Sequence, residues 1–271
     1  MNHHSRKAVL TIIMLLTVLG LFGCGGSTDK RAAEKIEEAL QAKYGEEFVV
    51  EGLGGGYSTM SNNRLKAVVY PKNAPNTRVN VQITKDLKQV YDDYVNIKVA
   101  QAAKGPIEHI VKALWPDGKV SITNDAGLND ADDKDTSMSY EEFVKLHPEN
   151  WQLVYVFLNS ADYMDAQGRM NQEAEIQKFD RLARQLSASK YLRSSIGVYY
   201  LTPEAYSLFE EAERSKTSVL NYYDDLKEKD GKVSLVTGIT YDLADNGGPS
   251  KDKAAFDEQF ELWKNVREAI K

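Results

Sequence analysis

Leu65-Lys66-Ala67-Val68-Val69-Tyr70 and Arg78-Val79-Asn80-Val81-Gln82-Ile83-Thr84 are the stretches that decide the fold. Both read as strands, joined by the Pro71-to-Asn76 connection. In the second, Val79, Val81 and Ile83 alternate with polar residues, so one face is buried and the other is wet. Working outward, Phe48-Val49-Val50 supplies an earlier strand, and the glycine-rich run from Gly52 to Gly56 reads as a turn. Upstream, Ala33, Ile36, Leu40 and Tyr44 recur at helical spacing, and Gly45 follows as a natural C′ residue. The first unit is therefore a helix followed by a three-stranded antiparallel meander.

Downstream the pattern becomes alternating helices and strands. Leu87 to Ala103 reads as a helix, and Gly105-Pro106 as the start of another, with Pro106 at N1 and Ile107, Ile110, Val111 and Leu114 on its buried face. Trp115-Pro116-Asp117-Gly118 is a turn before a strand at Lys119 to Thr123. Ser139 and Glu142 form a capping box for a short helix ending near Pro148. Trp151 to Leu158 is an apolar strand, Glu173 to Leu186 a helix and Ser195 to Leu201 a strand. Thr202-Pro203 opens a helix through about Ser215, Lys232 to Asp242 is a strand, and Lys251 to Ile270 is the closing helix. The fold class is α+β, with a mixed or antiparallel sheet in the second part. The units are expected at residues 31–103 and 104–271, or fused as one continuous domain.

Composition narrows the class further. The chain has 271 residues, 42% hydrophobic and 27% charged, which excludes collagen-like, disulfide-scaffold and multi-span membrane proteins. The net charge of -6 argues against nucleic acid as a partner.

The N-terminus carries an address. Arg6 and Lys7 precede an uncharged apolar stretch from Ala8 to Phe22, shorter than the ~20 residues of a comfortable span. Leu21-Phe22-Gly23-Cys24 closes it and resembles the lipobox of bacterial lipoproteins. Cys24 is the chain's single cysteine. The resemblance implies that residues 1–23 are a cleaved signal peptide, that Cys24 carries a diacylglycerol, and that residues 24–30 form a short tether. At ~3.5 Å per residue such a tether reaches only about 25 Å, so the folded part sits close to the bilayer. An uncleaved signal anchor is the alternative, and both place the remainder outside the cytoplasm. Cleavage removes two basic and no acidic side chains, leaving 32 basic against 40 acidic, a net charge of -8.

A second resemblance covers residues 33–99. The helix, then Lys43-Tyr44-Gly45-Glu46-Glu47-Phe48, the strand, the proline-containing hairpin and Tyr91-Asp92-Asp93-Tyr94-Val95 resemble the N-terminal part of uncharacterised small lipoproteins of Gram-positive bacteria. It implies location and fold, and carries over no catalytic residues.

Sites of chemistry are sparse. The acidic run from Asp125 to Glu142 is oxygen-rich but fails EF-hand spacing, because Lys134 and Asp135 fall where a ligand and a glycine are needed. Gly54-Gly55-Gly56-Tyr57-Ser58 lacks the lysine of a phosphate loop. Ser194, Ser195 and Gly197 approach a nucleophile elbow, but Arg193 stands where its first glycine belongs. His109 and His147 are the histidines left after cleavage, too few and too isolated for a zinc site. No catalytic residue, metal ligand or cofactor is assigned; Cys24 is the one site residue, as the lipidation position.

Tyr91, Tyr94, Tyr199-Tyr200 and Tyr222-Tyr223 are candidates to line a glycan- or peptide-binding groove. Phe256, Phe260, Trp263, Val266 and Ile270 form a stripe, read as core or as a docking face. The function expected is a membrane-anchored, extracytoplasmic, non-catalytic binding or accessory module, partnered by an envelope protein or a cell-wall component. The alternatives are a cell-wall hydrolase using a carboxylate pair and a solute-binding lipoprotein.

Overall fold

The computed structural model describes residues 27–54, 63–165, 167–215, 217–230 and 234–270. Cys24, the signal segment and most of the Gly54-to-Ser58 run lie outside them.

The N-terminal unit is helix α1 (Ser27–Tyr44) on an antiparallel meander of β1 (Phe48–Gly54), β2 (Arg64–Pro71), β3 (Val79–Thr84) and β4 (Val90–Asp92), in the order β1-β2-β3-β4. Ala32, Ile36 and Leu40 of α1 bury against Leu65, Ala67 and Val69 of β2 and Val79, Val81 and Ile83 of β3. The alternation of the two central strands thus sets the buried face. It leaves Lys66, Val68 and Tyr70 of β2 on the outer, more exposed face. Gly45 ends α1 at φ +73°, with its N–H on the Gln41 carbonyl at 2.8 Å.

Helix α2 (Tyr94–Leu114) leads into the second unit: β5 (Lys119–Asp125), α3 (Tyr140–Leu146), β6 (Trp151–Asn159), α4 (Gln172–Ala188) and β7 (Ser194–Leu201). The chain continues through α5 (Pro203–Ser207), α6 (Phe209–Glu213), α7 (Val219–Asp230), β8 (Leu235–Asp242) and α8 (Lys253–Ile270). The second sheet runs β5-β6-β7-β8, with β6 and β7 parallel and both outer pairs antiparallel. One face buries Ile107 and Val111 of α2, Phe179 and Leu182 of α4, and Phe256 and Phe260 of α8. The other is covered in part by Ala205, Phe209, Ala212, Val219 and Tyr223 of α5 to α7, packed on Phe157, Tyr199 and Leu201. Gly197 is required there, since a Cβ would stand 2.5 Å from the Tyr199 ring. The fold is α+β, with an antiparallel meander followed by a mixed sheet.

Several expectations need correction. Ser27 to Lys30, expected in the tether, are helical. Gly52 to Gly54 continue β1 past a bulge, where a turn was expected. Val90–Asp92 is a strand, so no helix begins at Leu87, whose φ is +61°. The boundary expected at 103/104 falls inside α2, which runs unbroken through Gly105-Pro106. Proline removes one helical hydrogen bond, to the carbonyl four residues back. Pro106 and Ala102 are both exposed, so that loss faces water, while Val99, Ala103, Ile107 and Val111 keep one buried stripe. The helix expected from Thr202 to Ser215 is two short ones, α5 and α6.

Candidate functional site

The two units meet along a buried polar seam. Asp92, fully buried, accepts from Lys43 Nζ at 2.8 Å, Tyr44 Oη at 2.6 Å and the Tyr94 amide at 3.0 Å. Lys43, its side chain 7% exposed, also donates to the Asp130 carbonyl at 2.5 Å. The Asp92 backbone exchanges two hydrogen bonds with Asn129. Asn129 Nδ2 then reaches Asn96 Oδ1 at 2.9 Å, and Asn124 Nδ2 reaches the Asn96 carbonyl at 3.1 Å. Burial, then the Asp92 carboxylate, hold the Tyr44 hydroxyl well above its ordinary pKa. The acidic run Asp125 to Glu142 therefore serves first as the strap that joins the units. Among the described residues no group of three or more His, Cys, Asp or Glu is placed to hold a metal ion.

Beside this seam lies a groove between the outer face of the first sheet and the β5–α6 side of the second unit. Three adjoining cavities form it. One, about 470 Å³, is lined by Val49, Tyr70, Lys72, Arg78 and Arg214 among others. A second, about 400 Å³, shares Arg214 and adds Asp93, Gln101, Lys104, Thr123 and Glu213. A third, about 510 Å³, shares Arg78 and adds Lys66, Val68, Asn80 and Leu128. Asn80 joins the last two, donating to Asp93 from its backbone N at 2.8 Å and from Nδ2 at 2.6 Å.

The groove carries charges of both signs. Lys66, Lys72, Arg78, Lys104 and Arg214 line it with Glu51, Asp93 and Glu213, and Lys72 is paired with Glu47 at 2.6 Å. Glu213 is bound by Lys104 and Glu51 by the Tyr70 hydroxyl. Lys66 and Arg214 make no ion pair among the described residues; the Glu210 carboxyl is held below its ordinary pKa first by its hydrogen bond from Lys119, with Arg214 a lesser contributor.

Asp93 is the acid of this groove most perturbed. Burial pushes its pKa up from 3.8 to about 6, with the Asn80 hydrogen bonds opposing and the neighbouring Asp92 reinforcing the rise. A folded pKa above the unfolded one means the folded state holds the proton more tightly, so stability falls as pH rises from 3.8 to about 6. Asp93→Asn is therefore expected to add about 1–3 kcal/mol at pH 7.5 and much less at pH 4, by urea titration at both pH values. An equal gain at both would contradict the assignment.

The sequence candidates are dispersed. Tyr94, Tyr200 and Tyr223 are core, Tyr199 is 9% exposed, and Tyr91 and Tyr222 lie in separate places, so the six do not line one groove. Tyr70 is the aromatic residue of the groove and lines the first of the three cavities. Ser194 is buried and donates to the Tyr191 carbonyl at 3.0 Å. His109 is exposed on α2. His147 is the C-cap of α3, its Nε2 2.7 Å from Asp133 Oδ2 without hydrogen-bond alignment and its ring 4.6 Å from that of Phe143. Phe256 and Phe260 are core, Trp263 is half-buried, and the side chains of Val266 and Ile270 lie outside the described residues.

No protein-family model matches the chain, and no curated protein matches it. It is similar to the crystal structure of a DUF5037 family protein from Ruminococcus gnavus ATCC 29149, at 17% identity and a TM-score of 0.49, over 83% of this chain and 97% of that one. Among the described residues no helix is long and apolar enough to cross a membrane.

Proposed function

We propose that this chain is a lipid-anchored, extracytoplasmic binding module of a Gram-positive cell, non-catalytic, whose working surface is the groove between its two units. The observation that carries the reading is the groove itself. It runs across three cavities, joined by Arg78, Arg214 and the Asn80–Asp93 pair, along the outer face of the first sheet. The anchor rests on Leu21-Phe22-Gly23-Cys24 and on the single cysteine. Ser27, three residues beyond Cys24, is already helical, so an acylated Cys24 would hold α1 within about 10 Å of the bilayer. Two acyl chains make such an attachment stable.

The hydrolase alternative would draw on Asp93 and Glu213, which line one cavity. Both are already engaged, Asp93 by two donors of Asn80 and Glu213 by Lys104, which favours binding over acid–base work. A solute-binding hinge is disfavoured by the way α2 and the buried seam fasten the units together.

The test of the anchor is metabolic labelling with an alkyne palmitate analogue, with whole-cell protease accessibility. Wild type is expected to carry the label in the membrane fraction and to be cut from outside. Cys24→Ala is expected to lose the label and to retain the 23-residue leader as a longer precursor. Label retained in Cys24→Ala, or protection from external protease, would overturn the address.

A further inference from the structure

From the backbone groups that line the inter-unit groove we infer that its occupant is an extended peptide segment of a partner protein, added as a further strand at the edge of β5. The inference rests on the proposed role of the groove as the binding surface.

The edge strands of the two sheets are β1, β4, β5 and β8. Every second residue of an edge strand turns its N–H and C=O away from its neighbour, where another chain can pair with them. On three of these edges the protein closes those groups itself. On β1 the Val50 amide donates to Glu37 Oε1 at 3.0 Å, and a bulge breaks the register beyond it. β4 is three residues long, and Asp92 exchanges both backbone hydrogen bonds with Asn129. On β8 the Gln259 side chain caps Thr240, accepting from its N–H at 3.0 Å and donating to its carbonyl at 3.2 Å. Asp242 is closed similarly, its N–H on Ser250 Oγ and its carbonyl on the Ser250 amide.

β5 differs. Beyond the pairing with β6, the backbone of Ser121, Ile122 and Thr123 has no hydrogen-bond partner among the described residues. This stretch lines the cavity of about 400 Å³, together with Ile97, Ala100 and Gln101 of α2. An open edge beside a helix, with space between them, is the geometry of strand addition. Main-chain hydrogen bonds then supply affinity, and the walls select alternate side chains.

The cavity fits an extended chain in length and in lining. Ser121 to Asn124 run about 13 Å at ~3.3 Å per residue. Successive side chains of an added strand point to opposite faces. On the α2 side they meet Ile97, Ala100 and Ile122, an apolar wall suited to small or β-branched groups. On the other side they stand beside the hydroxyls of Ser121 and Thr123. No aromatic residue lines this cavity, so a sugar has no ring to stack on. A second copy pairing edge to edge would have to bring its own α2 into the same space, whereas a lone segment brings only its backbone and side chains.

The experiment is selection from a random peptide library on the full-length protein in neutral detergent, followed by calorimetry of the best binder. N-methylation of that peptide at every second amide is expected to weaken binding at least tenfold, and at the intervening amides less than threefold. Hydrogen exchange at alternate β5 amides should slow at least tenfold on binding, with β1 and β8 unchanged. Gln101→Trp, which fills the cavity from α2, is expected to weaken binding at least tenfold. Gln89→Trp, in the separate cavity beside α1 and β4, should leave it within twofold. Circular dichroism of Gln101→Trp, expected to match wild type since the side chain is exposed, separates lost binding from lost folding. No selected peptide, binding indifferent to N-methylation, or protection at β1 or β8 in place of β5 would each overturn the inference. So would sedimentation of wild type as a dimer that Gln101→Trp dissociates. If the peptide fails while probes in the groove still capture an envelope component in cells, the ligand class is wrong and the groove stands; if both fail, the reading of the groove falls too.

Discussion

Asp92→Ala is expected to destabilise the protein by about 3–5 kcal/mol, the range for breaking a buried ion pair from one side. The carboxylate is fully buried and organises three donors from two helices, Lys43 and Tyr44 at the end of α1 and the Tyr94 amide at the start of α2. Its loss strands the Lys43 ammonium, whose remaining partner is the Asp130 carbonyl. The cost is desolvation of a charge left behind more than the value of the pair itself. Lys43→Met/Asp92→Leu is accordingly expected to recover the part of the loss due to the stranded ammonium, but not all of it, because the Tyr44 hydroxyl and the Tyr94 amide still lose their acceptor. Urea denaturation of the two variants checks this. A loss below about 1 kcal/mol in Asp92→Ala would mean that Lys43 turns out to water, and that the seam holds the units less firmly than its geometry indicates.

Glu175→Ala is expected to cost a similar amount, again about 3–5 kcal/mol. This carboxylate, 4% exposed on α4, accepts from Trp115 Nε1 at 2.8 Å and Tyr200 Oη at 2.6 Å on one oxygen, and from Lys178 Nζ at 2.7 Å on the other. Trp115 is fully buried where α2 ends, and Tyr200 lies on β7, so one side chain connects α2, α4 and the central sheet. Burial first, and the Glu175 charge second, hold the Tyr200 hydroxyl far above its ordinary range, so it remains a donor at any physiological pH. Trp115→Phe keeps most of the apolar volume and removes one donor, for an expected loss of about 1–3 kcal/mol. Because the two residues share a hydrogen bond, the double variant should cost clearly less than the two single losses together. Strict additivity would show that the Trp115–Glu175 contact contributes nothing.

The fold was legible where periodicity met a sharp stop. The alternation of Val79, Val81 and Ile83 and the α1 stripe closed by Gly45 both correspond to observed elements. So does the Ser139–Glu142 capping box, with both reciprocal hydrogen bonds formed. Reading failed where local punctuation was outweighed by tertiary packing. Gly105-Pro106 looks like a helix boundary, yet the buried stripe from Val99 to Val111 carries α2 through it. β4 is three residues long, too short to show a period, and it is held by pairing with β3 and with Asn129.

The groove was invisible for a different reason. Its cations come from β2, the connection between β2 and β3, α2 and the residue after α6, and no window of sequence brings them together. The tyrosines misled because residue type does not say which way a ring faces: adjacent Tyr199 and Tyr200 pack on opposite sides of the second sheet. The acidic run misled similarly. Sequence suggests a solvated loop, but its Asn129 and the Asp130 carbonyl are partners in the buried seam.

Photo-crosslinking in whole cells tests the central claim most directly. A benzophenone amino acid would replace Gln101, exposed in the groove, or Gln89, in the separate cavity beside α1 and β4, each with and without Cys24→Ala. An adduct with an envelope component is expected from position 101, little or none from position 89, and its loss when Cys24 is replaced. Equal adducts from both positions, or none from the groove in the anchored protein, would contradict it.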